Sequence, residues 1–170
     1  EWKEEVRHDN WYRGDTYNVS IGQGDLTVTP LWLNSYVAAI ANGGTIYRPQ
    51  VANRIIDADR NTLELFVPES VGRLPFPKEA LDEVRAAMRE AVRSGTAKLL
   101  QDLPVPAAAK TGTAEIDDKK STNVLFTAFA PYDNPEVAIT VLVERAVSSQ
   151  GYAMAAAHEF LQWYFSRISP

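Results

Sequence analysis

VLFTAFAPYDNPEVAITVLVE, residues 124–144, decides the fold of this chain. Side chains of an extended backbone alternate between faces, so Val124, Phe126 and Ala128 share one face while Leu125 and Phe129 take the other. The second half repeats the pattern, with Val137, Ile139 and Val141 opposed to Ala138 and Leu142. Both faces of both strands are apolar, and a sheet built from them needs cover on each side. The joining segment Pro131-Tyr132-Asp133-Asn134-Pro135 is short and made of turn residues, which predicts an antiparallel hairpin of strands 124–130 and 137–144. A third strand, 107–115, precedes it, after Pro104 and Pro106 have forced the backbone to extend.

Three segments can supply the cover. Thr29-Pro30 opens a helix, because Thr can cap free N–H groups and Pro suits the first helical position. Leu33, Tyr36, Val37 and Ile40 follow at helical spacing, and Asn42-Gly43-Gly44 stops it. From Pro77, the residues Leu81, Val84, Met88 and Val92 mark one buried face, with Ser94-Gly95 at the end and a short helical turn expected at 96–100. Met154, Ala157, Leu161, Tyr164, Phe165 and Ile168 trace the stripe of a closing helix. Between the first two helices, 45–47, 51–56 and 63–67 are β-prone, the last two forming a small hairpin across the turn at 57–61. The opening, through Asp25, shows no period and reads mainly as loop. The expected class is α+β, an antiparallel sheet with helices on both faces, in one domain divided into 1–76, 77–106 and 107–170.

Composition excludes several functions. The chain has 170 residues, 45% of them hydrophobic and 23% charged, as in an ordinary globular domain. Its 17 Lys and Arg against 22 Asp and Glu give a net charge of -5, which speaks against a binder of nucleic-acid phosphates. It contains no cysteine, hence no thiolate nucleophile, and two histidines, His8 and His158, too few for most metal cages; no cofactor is expected. No apolar window is long enough to cross a membrane, and the first residue, Glu1, suggests a piece of something longer.

The string most suggestive of chemistry is Lys110-Thr111-Gly112-Thr113, in the middle of the 107–115 strand. Alternation sends Lys110 to one face and Thr111 and Thr113 to the other, and Gly112 leaves a gap. A ligand could lie along such a strand. The cation and hydroxyls can bind a carboxylate, the missing side chain permits close backbone approach, and a backbone N–H can donate to a developing oxyanion. For these four residues alone the plainer reading is a surface strand with incidental Lys, Thr and Gly.

Lys-Thr-Gly is also the third signature of the serine acyl-enzymes that recognise penicillin. Around it stand Trp11, Gly14-Asp15-Thr16, Ser20-Ile21-Gly22-Gln23-Gly24, Thr29-Pro30-Leu31, Ala41-Asn42-Gly43-Gly44-Thr45, Tyr47-Arg48-Pro49 and the extension Thr113-Ala114-Glu115. From Trp11 to about Tyr164 these blocks resemble the last portion of the transpeptidase domain of class B penicillin-binding proteins, most closely the penicillin-binding protein 2 branch. The resemblance implies a peptidoglycan D,D-transpeptidase. Its serine attacks the D-Ala-D-Ala end of a stem peptide, and β-lactams mimic that donor. It implies that Lys110 sets electrostatics and the proton path, that Thr111 and Thr113 bind the substrate carboxylate, that Gly112 keeps the approach open, and that the Thr113 N–H is one of two oxyanion donors. It further implies cell-wall elongation machinery as partner and a place on the outer face of the bacterial cytoplasmic membrane, with the anchor outside this chain.

The departure from the family pattern is large. No serine is followed three residues on by lysine, so the Ser-x-x-Lys nucleophile motif is absent. Ser121-Thr122-Asn123 spells Ser-x-Asn but follows the Lys-Thr-Gly string instead of preceding it, and reads as part of a polar loop with Asp117, Asp118, Lys119 and Lys120. The nucleophile is expected in an N-terminal part of the domain, and the chain alone is expected to be inactive. In the absence of that part, strand 137–144 would keep an open apolar edge able to add a second copy. The alternatives are a non-catalytic interaction module and a β-lactam sensor or serine β-lactamase. Elsewhere, His158 reads as a packing residue, His8 as solvent-facing, Gly22-Gln23-Gly24 as a tight turn, Asp15 and Thr16 as local locks, and Glu115 as either a site rim or a strand end.

Overall fold

A computed structural model describes residues 2–116, 121–146 and 151–168, with the Ile168 side chain outside that set. Three strands, β5 (Ala108–Glu115), β6 (Thr122–Ala130) and β7 (Val137–Ala146), form an antiparallel sheet in the order β5-β6-β7. The register pairs Lys110 with Thr127, Thr113 with Val124 and Phe126 with Val141. Each face has its own core, as the alternation requires. On one face Ala109, Val124, Phe126 and Ala128 pack against Ala153, Ala157, Leu161 and Phe165 of α5 (Gly151–Ile168). On the other, Ala108 and Phe129 meet Val37 and Ile40 of α3 (Pro30–Ala41) and Leu81 and Met88 of α4 (Lys78–Arg93). The expected α+β architecture, helices on both faces of an antiparallel sheet, is what the chain adopts.

Local chemistry explains the helix ends. The Thr29 hydroxyl accepts from the Trp32 N–H at 3.2 Å, capping α3. Gly43 and Gly44 leave the helix at φ +83° and +112°, where a side chain would be strained. At the end of α4, Gln101 reaches back from a 3-10 turn (Lys98–Asp102) and donates to the carbonyls of Val92 and Arg93 at 3.0 and 2.6 Å, satisfying groups the helix cannot pair itself. Arg89 donates to Ala107 O at 2.8 Å. Arg85 donates to Tyr132 O at 2.8 Å with its guanidinium 5.7 Å from the ring centroids of both Phe129 and Tyr132, so two arginines fasten α4 to the sheet.

Three expectations are corrected. The opening contains helices, α1 (Trp2–Arg7) and α2 (Arg13–Ser20), where a loop was expected. Polar contacts, which have no period, hold this segment. Lys3 Nζ lies 2.8 Å from Asp15 and 3.2 Å from Asp9, Tyr12 N–H donates to Asp15 at 2.7 Å, and Trp11 Nε1 donates to Thr16 at 2.8 Å. Asp15 and Thr16 are thus local locks, as read from the sequence. The second correction is β4 (Ser70–Arg73), an exposed four-residue strand that pairs antiparallel with β1 (Thr45–Tyr47) through long-range contacts that a local reading cannot supply. The expected hairpin forms, as β2 (Arg54–Ile56) with β3 (Thr62–Leu65). Ser121 is buried, and Thr122 and Asn123 begin β6 instead of lying in a loop; residues 117–120 lie outside the described set.

The Lys3 cluster predicts a pH response. The Lys3 ammonium, chiefly by hydrogen bonding, holds the Asp15 and Asp9 carboxyls below the ordinary range, and Asp15 above all raises Lys3. Carboxyls depressed by folding stabilise above their unfolded value and lose that contribution as pH falls through the folded one. A raised lysine stabilises below its unfolded value and loses the contribution as pH rises through the folded one. The α1–α2 fastening is therefore expected to hold across neutral pH and to loosen below about pH 4 and above about pH 10. Trp2 and Trp11 emission should change with acid. An invariant spectrum from neutral pH to strong acid would refute the coupling.

Candidate active site

Lys110, Thr111, Gly112 and Thr113 lie side by side in the middle of β5. The strand has β6 on one side; among the described residues no strand pairs with its other edge. Lys110 falls on the face of Ala108, toward α3 and α4, and Thr111 and Thr113 fall on the alternate positions. The Lys110 side chain is exposed. Its Nζ donates to Thr111 O at 2.6 Å and forms no ion pair with a described residue. Thr111 Oγ1 lies 3.1 Å from Thr96 Oγ1, a neighbour that no motif announced.

Gly112 has an informative environment. A Cβ placed there would meet Leu125 Cβ at 3.5 Å, an ordinary van der Waals distance, and its φ is not positive. Neither packing nor backbone conformation of the described structure demands a glycine here.

Lys110 and Thr111 are among the residues lining a groove of about 1230 Å3, with most of its other lining from α3 and α4. Its walls are largely apolar, with Leu33, Tyr36, Ile40, Val84 and Met88 among them. Tyr36 and Val84, expected on buried helix faces, are 44% exposed, and both face this groove. At these two positions the expected burial is corrected: among the described residues nothing covers them, whereas Val37, Ile40, Leu81, Met88 and Val92 are buried as read.

The turn at Gly22-Gln23-Gly24 is tight, as expected, with φ of +79° at both glycines. Sequence reasoning missed that Gln23 Nε2 donates to Thr113 O at 2.8 Å across 90 residues. Two glycines bracketing a polar side chain were the available signal. His158 Nε2 lies 2.8 Å from Asp102 Oδ1, which accepts from it, a packing role as read, and His8 and Glu115 are exposed. No group of metal-ligating residues occurs among the described residues, and no described helix is long and apolar enough to cross a membrane.

The model of the penicillin-binding protein transpeptidase domain matches residues 3–162. The chain belongs to that family. It is 32% identical over 181 residues to the peptidoglycan D,D-transpeptidase MrdA of Acinetobacter baumannii, covering 98% of this chain and 27% of that protein. Among solved structures it resembles the penicillin-binding protein PBP2 of Helicobacter pylori, with TM-score 0.79 and 27% identity over 99% of this chain and 30% of that one. It also resembles penicillin-binding protein A of Mycobacterium tuberculosis, solved as an imipenem acyl-enzyme complex, with TM-score 0.72 and 30% identity over 88% of this chain and 33% of that one. The chain thus spans about a third or less of the length of these relatives, as a penicillin-binding protein 2-like portion of the transpeptidase domain.

Proposed function

We propose that this chain supplies the substrate-binding half of a peptidoglycan D,D-transpeptidase site that works through an acyl-serine. The observation that carries the proposal is the juxtaposition of the Lys110-Thr111-Gly112-Thr113 strand, whose outer edge pairs with no strand among the described residues, with an apolar groove that Lys110 and Thr111 line. In this reading the attacking serine and the Ser-x-Asn motif come from the rest of the domain. That part also fills the groove, covering Tyr36 and Val84, and pairs with the outer edge of β7.

The chemistry proposed is the one the family resemblance implies. The serine hydroxyl attacks the penultimate D-Ala carbonyl of a stem peptide, forming a C–O bond, and D-Ala leaves with a proton. The acyl group then passes to an amine of a neighbouring strand. The Thr111 and Thr113 hydroxyls take the donor's carboxylate, with Lys110 supplying positive charge and an ordered proton path. The Thr113 N–H donates to the oxyanion, and Gly112 lets the peptide backbone approach β5 as an added strand. A β-lactam carries the same carboxylate and a strained amide, so it acylates the same serine. An elongation-type role and a place outside the cytoplasmic membrane are proposed by analogy; the H. pylori relative has also been solved in complex with MreC.

Fluorescent penicillin tests this. The 170-residue chain alone is expected to take no covalent label and to run larger than a monomer in light scattering, through the β7 edge. The full-length protein that carries it should label, and cold β-lactam should compete. Labelling of the chain alone would place a nucleophile within it and favour the β-lactamase or sensor reading. A full-length protein that never labels would leave the interaction-module reading.

A further inference from the structure

The Gln23–Thr113 bond has features of a built contact. Gly22 and Gly24, both at φ +79°, take a conformation that other residues reach only with strain. The turn is fixed by its own backbone, Gly22 N–H donating to Val19 O at 3.0 Å and Gln23 N–H to Asn18 O at 2.9 Å. A Cβ on Gly24 would stand 3.2 Å from Asn18 Cβ, so the turn is closely packed as well as bent. The Gln23 side chain is thus delivered from a constrained base. No other hydrogen bond between two described residues ties the 2–28 segment to the sheet.

Its target matters because of strand geometry. The N–H and C=O of one residue in an antiparallel strand point to the same edge. A donor held at the Thr113 carbonyl therefore stands on the edge toward which the Thr113 N–H points. The preceding residue, Gly112, has no side chain to restrain its dihedral angles, so the peptide between them is the softest link of the site strand. Ser20 and Gly22 line the same groove as Lys110 and Thr111, so the turn is a wall of the site.

We infer that Gln23 is a positioning residue: by holding the Thr113 carbonyl it fixes the Thr113–Ala114 peptide and so anchors the Thr113 backbone on the side away from the flexible Gly112, which keeps the Thr113 N–H aimed at the reacting carbonyl. The inference rests on the reaction proposed above. It excludes the opposite role, in which the Gln23 amide plugs the strand edge and a ligand must displace it.

The test uses the full-length protein that carries this chain and two variants. Gln23→Met keeps length and bulk without a donor, and Gln23→Glu turns a carboxylate toward the carbonyl. Acylation by a β-lactam is resolved into an initial binding constant and a first-order acylation constant, referred to the fraction of protein that titrates with penicillin. The first-order constant is expected to fall about 5- to 10-fold in Gln23→Met, the size of one neutral hydrogen bond, and further in Gln23→Glu. Binding should change less than about 2-fold, since the interaction acts in the transition state. The ester carbonyl stretch of the acyl-enzyme should move to higher wavenumber, a signature that lost stability alone would not produce. An unchanged rate constant and stretch in both variants, or faster acylation, overturns the inference while leaving the proposed reaction standing. A wild-type protein that is never acylated overturns both.

Discussion

Lys110→Ala, made in the full-length protein that carries this chain, is expected to slow acylation by a β-lactam by about 100-fold while leaving the fold almost untouched. The asymmetry follows from where the side chain spends its interactions. Lys110 is exposed, donates to Thr111 O on its own strand, and forms no ion pair with a described residue, so little in the fold depends on it. A surface substitution of this kind changes stability by no more than about 0.5 kcal/mol, which moves the melting temperature by about 2 °C in a chain of this size. The charge, by contrast, lines the groove where, in the proposed reaction, an anionic substrate and an alkoxide would meet. A preorganised cation aimed at developing charge accounts for two or three powers of ten in comparable sites. Lys110→Arg should recover part of the rate, because charge returns but the planar guanidinium cannot take the same position. Full acylation by Lys110→Ala, or a loss explained entirely by unfolding, would remove Lys110 from the reaction.

The largest effect on stability is expected at Phe126. It is 1% exposed and lies in the α5-side core, between β5 and β7 and against the buried stripe of α5. Truncation to Ala loses the transfer energy of the ring and leaves a cavity in a close-packed interior, together about 3–5 kcal/mol. The melting temperature should drop by roughly 6–20 °C, and Phe126→Leu, which keeps most of the volume, should cost well under half as much. Phe126 is paired with Thr111 in the register, so the cavity would also loosen the backing of the site strand. Chemical denaturation of the three proteins, read by Trp fluorescence, measures this. Equal midpoints for wild type and Phe126→Ala would mean that α5 does not pack as described.

Legibility followed the kind of force that holds each part. The sheet, its hairpin and the three long helices are held by apolar burial, and burial leaves a period of two or about 3.6 in the residue order, so these elements could be read within a few positions. The α1–α2 segment is held by Lys3, Asp9 and Asp15 at chosen distances, and such contacts leave no period. The β1–β4 pairing joins Thr45 to Arg73, and only the folded chain brings the two together. Lys110 through Thr113 were legible as a motif. Thr96 beside Thr111 and Gln23 on Thr113 were not, since each pair is separated by many residues and its spacing carries no signal.

The sequence by itself determined the layering, the place of Lys110 on a strand, the absence of any Ser-x-x-Lys motif and the family of the domain. All of these are properties of local order or composition. Only the tertiary structure decided that α3 and α4 leave an apolar groove that Lys110 lines, and that a glycine-framed turn from the far end of the chain reaches the Thr113 carbonyl. Distances between remote residues depend on the packing angles of whole elements, and those angles emerge from the sum of many small contacts that no single stretch of residues encodes.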